Sequence, residues 1–530
     1  MKRHRALALL LGGAIVVAAC DDSFLETRPP DEVSDAIFWT QQKDAELAVN
    51  ALYQLYQAGG TNRTNRIAYQ LDALTDNAWA QKSFDNWYSI GQGAATPLNG
   101  NFGDFWADSY RSIRRANEIL AHIDEIEAID AGLKERLIAE TRFHRAFHYM
   151  YLINLFGDVP LVLEPLDDIA AASSVTRTPR AQIQEQIYAD LDAAAAVLPE
   201  RSEYPPEQYG RATRGAALGY KARAALWAND WNTVVAAAQE VMASGEYILE
   251  PDYHNLTRYA GDESREIIFA DRRAQTIRPQ GAFADYGPRS FQGGSTFTPL
   301  RSLVDDYHMI DGLPIDESPL FDPDNPYENR DPRMYSTLLY PGALFDGVVY
   351  NSLPSSTTPD QVRSDFNATA TGYQFIKYVN PEDKNDRGNS GVDFILMRYA
   401  DVLLMYAEAK IELNQIDQTV YDAINAVRSR ADMPEITPPH TQDELREIVR
   451  HERRIELAFE GLRLFDIRRW GIAQQVMAGQ HYGIDYIDEN GNLQTIPADF
   501  RSFDPARDML WPIPQKEVDL NSNISQNPGY

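Results

Sequence analysis

The sequence predicts a mainly α-helical protein in which tetratricopeptide-like helix hairpins form a scaffold, with long irregular loop insertions and a few short strands. Three observations predict this class. Apolar residues recur at three- and four-residue spacing over nine segments, several neighbouring segments are joined by short connections, and residues 245–395 are instead rich in Gly, Pro, Asp, Tyr and Ser. The nine segments are 43–57, 105–129, 133–155, 180–197, 211–228, 231–243, 398–414, 417–431 and 442–475.

The helical segments are arranged in adjacent pairs, and small residues crowd their faces. The face of 211–228 carries Ala216, Ala217, Ala222, Ala224 and Ala225. Antiparallel pairs with alanine at close contacts are typical of tetratricopeptide-like hairpins, although the strict repeat consensus is absent. The pairs are 105–129 with 133–155, 211–228 with 231–243, and 398–414 with 417–431.

The middle of the chain has a different organisation. Residues 245–395 contain only short possible strands, such as 266–270. Irregular segments of this length are usually functional, and the alternative is a packed lid without a ligand. We therefore expect one domain over 43–530, with its helical scaffold in 43–244 and 396–530 and a variable insertion in 245–395.

Composition excludes several functions. The chain has 530 residues, of which 44% are apolar, so it can bury a large core. The formal charge of −29 disfavours nucleic acid as a partner, because the surface repels phosphate. The single cysteine, Cys20, excludes an intramolecular disulfide and a multi-cysteine metal site.

The first nineteen residues predict a lipoprotein signal peptide. A basic start is followed by an apolar stretch over 6–19, which ends in Val17, Ala18 and Ala19 directly before Cys20. This junction resembles a bacterial lipobox, in which the cysteine is lipidated; the alternative is an ordinary signal peptide with a chance cysteine. We expect Cys20 to anchor the chain in the outer membrane, facing the exterior, with residues 20–42 as anchor and tether.

Two tryptophans lie in a polar, glycine-containing stretch between helices and are the first candidates for ligand contact. Sugar rings are bound by stacking on aromatic planes while amides and carboxylates hold their hydroxyls. Trp79 and Trp87 supply aromatic planes here, and the alternative is that they pin the loop to the core. The polar and aromatic candidates around them are Asp76, Asn77, Asp85, Asn86 and Tyr88.

A second aromatic stretch lies in the variable insertion. It contains Phe283, Tyr286, Arg289 and Phe291, and the arginine could bind the carboxylate of an acidic sugar. We expect these four residues to form a second candidate patch.

A catalytic interpretation of the C-terminal carboxylates is disfavoured. Glu452, Glu456 and Glu460 are four residues apart, and neighbouring arginines would keep them ionised, which is wrong for a general acid. We expect ion pairs that lock the C-terminal helices to the scaffold, and we expect Asp401 and Glu408 to be scaffold contacts. The neighbouring arginines are Arg453, Arg454, Arg463 and Arg469.

Metal and cofactor sites are not expected. His144 and His148 have a metal-like i, i+4 spacing, but Arg145 replaces the glutamate of the zincin pattern, so partly exposed helix histidines are the default. The run from Asp383 faintly resembles a calcium loop but has Arg387 in place of an oxygen ligand. We expect no metal and no cofactor, and a structural calcium stays open.

Nine motifs occur in one order along the chain: FLETRPPDEVSDAIFWT, DAELAVNALYQLY, WADSYRSIRRANEIL, AETRFHRAFHYMYLINLFGDVPLV, RATRGAALGYKARAALWANDW, ILMRYADVLLMYAEAKIEL, AINAVRSRA, ERRIELAFEGLRLFDIRRWG and LWPIPQKEVDLNSNISQNPGY. Together with the lipobox they resemble the RagB/SusD family of nutrient-binding outer membrane lipoproteins. Only the loops near 58–100 and 270–390 fall outside the resemblance.

The resemblance implies a SusD-like fold of four tetratricopeptide-like helix pairs that support irregular loops. It also implies binding of an oligosaccharide or peptide at the cell surface, without catalysis, and delivery to a SusC-like TonB-dependent transporter. Two alternatives stay open, namely a surface-anchored glycan-degrading enzyme and a structural transporter lid that does not contact the ligand.

Overall fold

The computed structural model describes residues 38–54, 67–166 and 168–530. The predicted signal peptide, Cys20 and most of the predicted tether lie outside the described residues. The fold class is the predicted one, since the described residues form eighteen α-helices and only short strands.

Nine helices form the scaffold, and we label them α1 to α9. They are α1 Gln42–Asn50, α2 Gly100–His122, α3 Ala131–Phe156, α4 Arg180–Ala195, α5 Arg214–Trp227, α6 Trp231–Ala243, α7 Tyr399–Glu412, α8 Gln418–Arg430 and α9 Gln442–Glu456. The shorter helices are Asn86–Gly91, Ile169–Ala172, Ala282–Tyr286, Arg301–Asp306, Pro332–Thr337, Arg463–Arg469, Ala473–Met477, Pro505–Asp508 and Gln515–Leu520.

Each scaffold helix from α2 onwards packs on the next one along the chain. The predicted pairs α2 with α3, α5 with α6, and α7 with α8 all form, and α4 packs between α3 and α5. Helix α6 packs on α7 although the whole variable insertion separates them in sequence. The insertion therefore leaves the helical stack continuous.

The connection between α5 and α6 shows how the sequence makes a tight hairpin. Only residues 228–230 separate the two helices, and Asn229 adopts a left-handed φ of 58°. The side chain of Asp230 then accepts a hydrogen bond from the Thr233 amide and caps α6. Asparagine tolerates left-handed backbone and aspartate is a strong N-cap, so this turn is locally specified.

The core lies around α3. One stripe of this helix, formed by Phe143, Phe147, Met150, Tyr151 and Leu155, is buried. Rings from α5 and from the insertion complete it, with Tyr220 5.5 Å and Phe269 5.0 Å from Phe143 between centroids. Because α3 is covered on nearly all sides, it fixes the relative positions of the scaffold and the insertion.

The strands of the described residues form five two-stranded antiparallel sheets. The predicted strand at 266–270 is observed as Ile267–Asp271, and its pairing with Phe394–Arg398 closes the insertion where it leaves and rejoins the scaffold. The pairs are β1 Ala78–Ala80 with β3 Phe297–Pro299, β2 Ile267–Asp271 with β8 Phe394–Arg398, β4 Leu338–Leu339 with β7 Gln374–Phe375, β5 Leu344–Phe345 with β6 Val348–Val349, and β9 Gly479–Ile487 with β10 Leu493–Arg501.

The prediction of one helix over 442–475 is wrong. Helix α9 ends at Glu456, and two short helices, Arg463–Arg469 and Ala473–Met477, follow after turns. The first break contains two left-handed residues, Phe459 with φ 59° and Gly461 with φ 73°. The short helices also bury one face, so the apolar periodicity continues across the break. Periodicity alone therefore could not reveal where the helix ends.

Gly461 is where the scaffold meets the loop that follows α1. A Cβ atom at this position would lie 1.9 Å from the backbone oxygen of Ile67. The Gly461 amide also donates a hydrogen bond of 2.7 Å to the Asp72 carboxylate. Glycine is required here by both the backbone conformation and the close approach of a second chain segment.

The three glutamates of the C-terminal motif are buried and ion-paired, as predicted, but their partners are different arginines. Glu456 binds Arg333 at 2.9 Å and also pairs with Arg398 and Arg430. Glu460 lies beyond the end of α9 and binds Arg398 at 2.8 Å. We call the set Glu266, Arg333, Lys377, Arg398, Arg428, Arg430, Glu452, Glu456 and Glu460 the glutamate–arginine network.

The predicted arginines point to other carboxylates. Arg453 binds Asp401 at 2.9 Å and Arg469 binds Glu408 at 2.6 Å, which confirms both acidic residues as scaffold contacts. Adjacent residues on a helix point in different directions. An arginine next to a glutamate in the sequence therefore does not have to be its ion-pair partner. Burial alone would raise the pKa of Glu456, but Arg430, Arg398 and Arg333 outweigh it and hold that pKa well below its ordinary value.

We expect Gly461→Ala to destabilise the protein by roughly 1–3 kcal/mol more than Gly471→Ala, because the added Cβ must be fitted into packed structure. Both glycines have φ 73°, but an added Cβ at Gly471 meets no atom within 4 Å. The control therefore carries the cost of left-handed alanine without the clash. Urea unfolding of both variants measures the difference, and equal losses would contradict the inferred contact with Ile67.

We expect Glu456→Gln to lower the free energy of unfolding by about 3–5 kcal/mol at pH 7, because it leaves buried guanidinium charge uncompensated. Glu447→Gln, an exposed position of the same helix, is the control. Because the folded pKa of Glu456 is depressed, its contribution is present above the unfolded pKa of ~4.3 and is lost as pH falls towards the folded value. Urea unfolding between pH 7 and 3.5 should show the free energies of unfolding of Glu456→Gln and Glu447→Gln converging as the pH falls. A difference that stays constant with pH would refute the charge argument.

Candidate functional site

Two predicted polar candidates, Asp76 and Asn77, are buried in structural contacts. Arg463 binds both oxygens of Asp76, at 2.9 and 2.8 Å, and Arg454 adds a third ion pair at 3.0 Å. Burial alone would raise the pKa of Asp76, but Arg454 and Arg463 outweigh it and hold the pKa well below its ordinary value. Asn77 donates to Asp72 and accepts from Arg454, so both side chains position the loop and offer no surface to a ligand.

The two predicted aromatic anchors, Trp79 and Trp87, are also buried. Trp79 belongs to β1, and Trp87 packs on Phe105 of α2 and on Trp511, with ring centroids 6.2 and 6.4 Å away. Asp85 accepts a hydrogen bond from the Trp87 amide and caps the short helix that carries it. The structure therefore shows the alternative arrangement, in which both tryptophans pin the loop to the core.

Asn86 and Tyr88 remain accessible on the same loop. Asn86 is exposed, and its backbone oxygen accepts a hydrogen bond from Asn99. Tyr88 is half-buried and its hydroxyl accepts from Gln92 at 2.9 Å. Ligand contact by these two residues stays a prediction.

The second predicted patch divides in the same way. Phe283 and Tyr286 are buried, and the Tyr286 ring stacks on Phe297 of β3 at 5.3 Å. Phe291 is half-buried and packs on Phe345 at 5.4 Å. Arg289 is the accessible member, and its Nε donates to Asp365 at 2.8 Å.

Arg289 of the second patch and residues 82–84, which precede the first patch's accessible residues, meet at a third loop. Phe366 of this loop stacks on Phe84, with centroids 5.7 Å apart and planes at 27°. These rings are 63% and 75% exposed, so the pair presents a contiguous apolar surface to water. Lys82 lies over the Phe366 ring at 4.1 Å, and Arg289 approaches through Asp365. We call Lys82, Phe84, Arg289, Asp365 and Phe366 the loop surface.

Sequence reasoning missed Phe84 and Phe366. Each is a lone apolar residue within a polar run, SFDN and SDFN, in which neither helix nor strand periodicity gives it a buried face. That pattern was a usable signal for an exposed ring. Their pairing across 281 intervening residues was not predictable, because nothing local relates the two loops.

A separate cleft has a volume of about 720 Å³. It lies between the helix Arg301–Asp306, the segment 315–342 and the hairpin of β9 and β10. Tyr327 and Tyr340 form one wall, and Tyr486 lines it from the hairpin. We call it the tyrosine cleft; sequence analysis did not single out any of its residues.

The histidine pair is not partly exposed, and that expectation is wrong. His144 and His148 are fully buried in α3, and the ring of His144 lies 4.3 Å from that of Tyr53. Burial lowers the pKa of His148 to about 3 and the pKa of His144 well below its ordinary value. Both are therefore neutral core residues.

Within the described ranges, no group of three or more His, Cys, Asp or Glu residues has a geometry that could hold a metal ion. In the run that resembles a calcium loop, Asp383 accepts a hydrogen bond from the Tyr259 hydroxyl. Among all the described residues, no helix combines the length and apolarity needed to cross a bilayer.

Comparison with known proteins relates both halves of the chain to one family. The model of the SusD family matches residues 245–530, and a second model, described as starch-binding associating with outer membrane, matches residues 23–226. SusD-like protein P2 of Formosa agariphila is 27% identical, with all of both chains covered.

Solved structures share the fold. A SusD-like carbohydrate binding protein from Bacteroides fragilis has 33% identity and a TM-score of 0.85, covering 92% of this chain and all of its own. Surface glycan-binding protein A from Bacteroides thetaiotaomicron, solved with laminarihexaose, has 21% identity and a TM-score of 0.70, covering 92% of this chain and all of its own. With the helical stack, the family-model match and the similarity to the Bacteroides fragilis protein, the chain belongs to the SusD family.

Proposed function

We propose that the protein binds an oligosaccharide non-catalytically at the cell surface and delivers it to a SusC-like TonB-dependent transporter. The observation that carries the binding role is the stacked and exposed pair of Phe84 and Phe366 in the loop surface. Burying such rings is favourable, so leaving two of them in water indicates a partner that covers them.

The loop surface has the chemistry that a sugar requires. The C–H face of a pyranose stacks on an aromatic plane, and its hydroxyls accept from cations or donate to carboxylates. Arg289 and Asp365 lie beside the two rings and supply both kinds of partner. Lys82 is buried beneath the Phe366 ring and supports it from below. Relatives named as carbohydrate or glycan binders support a sugar ligand.

A non-catalytic role is supported by the state of the C-terminal carboxylates. Glu452, Glu456 and Glu460 are buried and each is bound by at least one cationic side chain. Burial would raise the pKa of Glu460, but Arg398 and Lys377 keep it below its ordinary value. A carboxylate held ionised in this way cannot donate a proton to a glycosidic oxygen.

Delivery to a transporter rests on the family and on the N-terminal sequence. The second family model is described as associating with the outer membrane, and the lipobox-like junction would place the chain on that membrane through Cys20. A lipid-anchored binder held next to its transporter raises the local ligand concentration at the entrance. We infer an exterior, lipid-anchored position.

We expect the double substitution Phe84→Ala with Phe366→Ala to weaken binding of the cognate glycan about tenfold. Each stacking contact contributes ~0.5–1.5 kcal/mol, and 1.4 kcal/mol corresponds to a factor of ten. Titration calorimetry with a panel of glycans and peptides identifies the ligand and measures the effect.

Leu98→Ala is the control for that substitution, because Leu98 is a 79% exposed apolar residue outside the loop surface. Binding that is unchanged in the double variant would favour the transporter lid without ligand contact. Release of shortened products during the titration would favour the surface enzyme.

We expect mass spectrometry of the natural protein to find a diacylated or triacylated Cys20 as its N-terminus. Cys20→Ser should move the chain from the detergent phase to the aqueous phase on Triton X-114 partition. The lipid is attached through the cysteine thiol, which serine lacks. Ser23→Ala, three residues on, should leave partition unchanged. An intact Met1 terminus would contradict the anchor.

A further inference from the structure

We infer that the tyrosine cleft is a second saccharide-binding site, distinct from the loop surface, and that it takes a neutral oligosaccharide. Its volume of about 720 Å³ lies within the range of small-molecule sites. None of the residues of the loop surface lines it. The inference therefore stands on its own observations.

The cleft has an aromatic wall suited to sugar rings. Tyr327 and Tyr340 stack with centroids 4.4 Å apart and planes at 28°, and both are only half-buried. The Tyr327 hydroxyl lies 3.5 Å from that of Tyr373, which helps to orient the pair. Tyrosine provides an apolar face and a hydroxyl at the same position, as an amphipathic sugar requires.

The opposite wall comes from the hairpin of β9 and β10. Ile487 and Leu493 are cross-strand partners near its turn, and they are 62% and 67% exposed. Tyr486 lines the same wall. A ligand between the two walls would thus be covered on both faces by apolar surface.

The polar groups of the cleft are held in fixed positions. Arg301 binds Asp305 at 3.0 Å and Asp485 at 2.7 Å, and so joins the helix Arg301–Asp306 to the hairpin. The Thr495 hydroxyl also donates to Asp485, at 2.5 Å. Pre-positioned carboxylates of this kind can accept hydrogen bonds from sugar hydroxyls with little loss of side-chain entropy.

Charge selects the class of sugar. The cleft-lining residues within the described ranges include two arginines, and both are occupied. Arg301 is shared between two carboxylates, and Arg330 is buried and donates to the backbone oxygens of Val304 and Tyr307. Asp324 and Glu328 are exposed at the cleft, so an anionic sugar would meet repulsion while a neutral one would not.

The cleft and the loop surface are connected through the same hairpin. Arg363, two residues before Asp365, donates to the backbone oxygen of Pro497 in β10 at 2.6 Å. The hairpin that lines the cleft therefore also holds the segment that carries Asp365 and Phe366.

Titration calorimetry on the full-length protein in mild detergent tests the inference. The neutral probes are laminarihexaose, cellohexaose, maltohexaose and xylohexaose, and the acidic probe is a hexamer of galacturonate. We expect Tyr340→Ala and Tyr486→Ala each to weaken the best neutral probe three- to tenfold and to lower the stoichiometry from two towards one. The control is Tyr482→Ala, an exposed tyrosine of the same hairpin that does not line the cleft.

Three outcomes would overturn the inference: wild-type affinity and stoichiometry in both cleft variants, tighter binding of galacturonate than of every neutral probe, or no binding of any neutral probe. Thermal unfolding shows whether each variant is folded. If a cleft variant is unfolded, Glu328→Lys at the exposed rim is tested in its place. This substitution replaces a negative charge at the cleft with a positive one, so it must raise the affinity for galacturonate. Loss of all binding in the loop-surface variant, with the cleft variants unchanged, would leave the proposed function intact and refute only the second site.

Discussion

The buried ion pairs between the C-terminal glutamates and arginines from distant segments are the constraint on which the arrangement of this molecule depends. Glu456 alone joins α9 to Arg333 of the insertion, to Arg398 at the end of β8 and to Arg430 of α8. Both partners of each pair are buried. An unpaired charge in such a buried position would cost several kcal/mol. A misplaced insertion would leave such charges unpaired, so the network specifies where the irregular segment lies on the helices.

The division of labour follows from that constraint. The helical stack provides rigidity, and the loops carried on it expose the chemistry, as is general for binding proteins. Asp72, Asp76 and Asn77 bind the loop that follows α1 to the C-terminal motif. The same loop continues to Phe84, so these buried contacts help to position the exposed aromatic pair.

Sequence reasoning succeeded and failed for different physical reasons. The hairpins were predictable because their periodicity and caps are local, as at Asn229 and Asp230. Tryptophan in a polar loop was not a reliable sign of a binding surface, since Trp87 finds Trp511 across more than 400 residues. The residues chosen for polarity, Asp76 and Asn77, are buried for the same reason, because distant arginines satisfy them. In irregular segments no period tells which side chain faces the solvent.

By itself, the sequence determined the helical class, the positions of most scaffold helices, the ion pairing of the C-terminal glutamates and the family resemblance. Tertiary structure alone decided which arginine each glutamate binds, where the helix over 442–475 breaks, and which aromatic rings stay in water. The first set depends on neighbours within a few residues, whose geometry the chain itself imposes. The second set depends on contacts between segments hundreds of residues apart, and their partners exist only once the chain has folded.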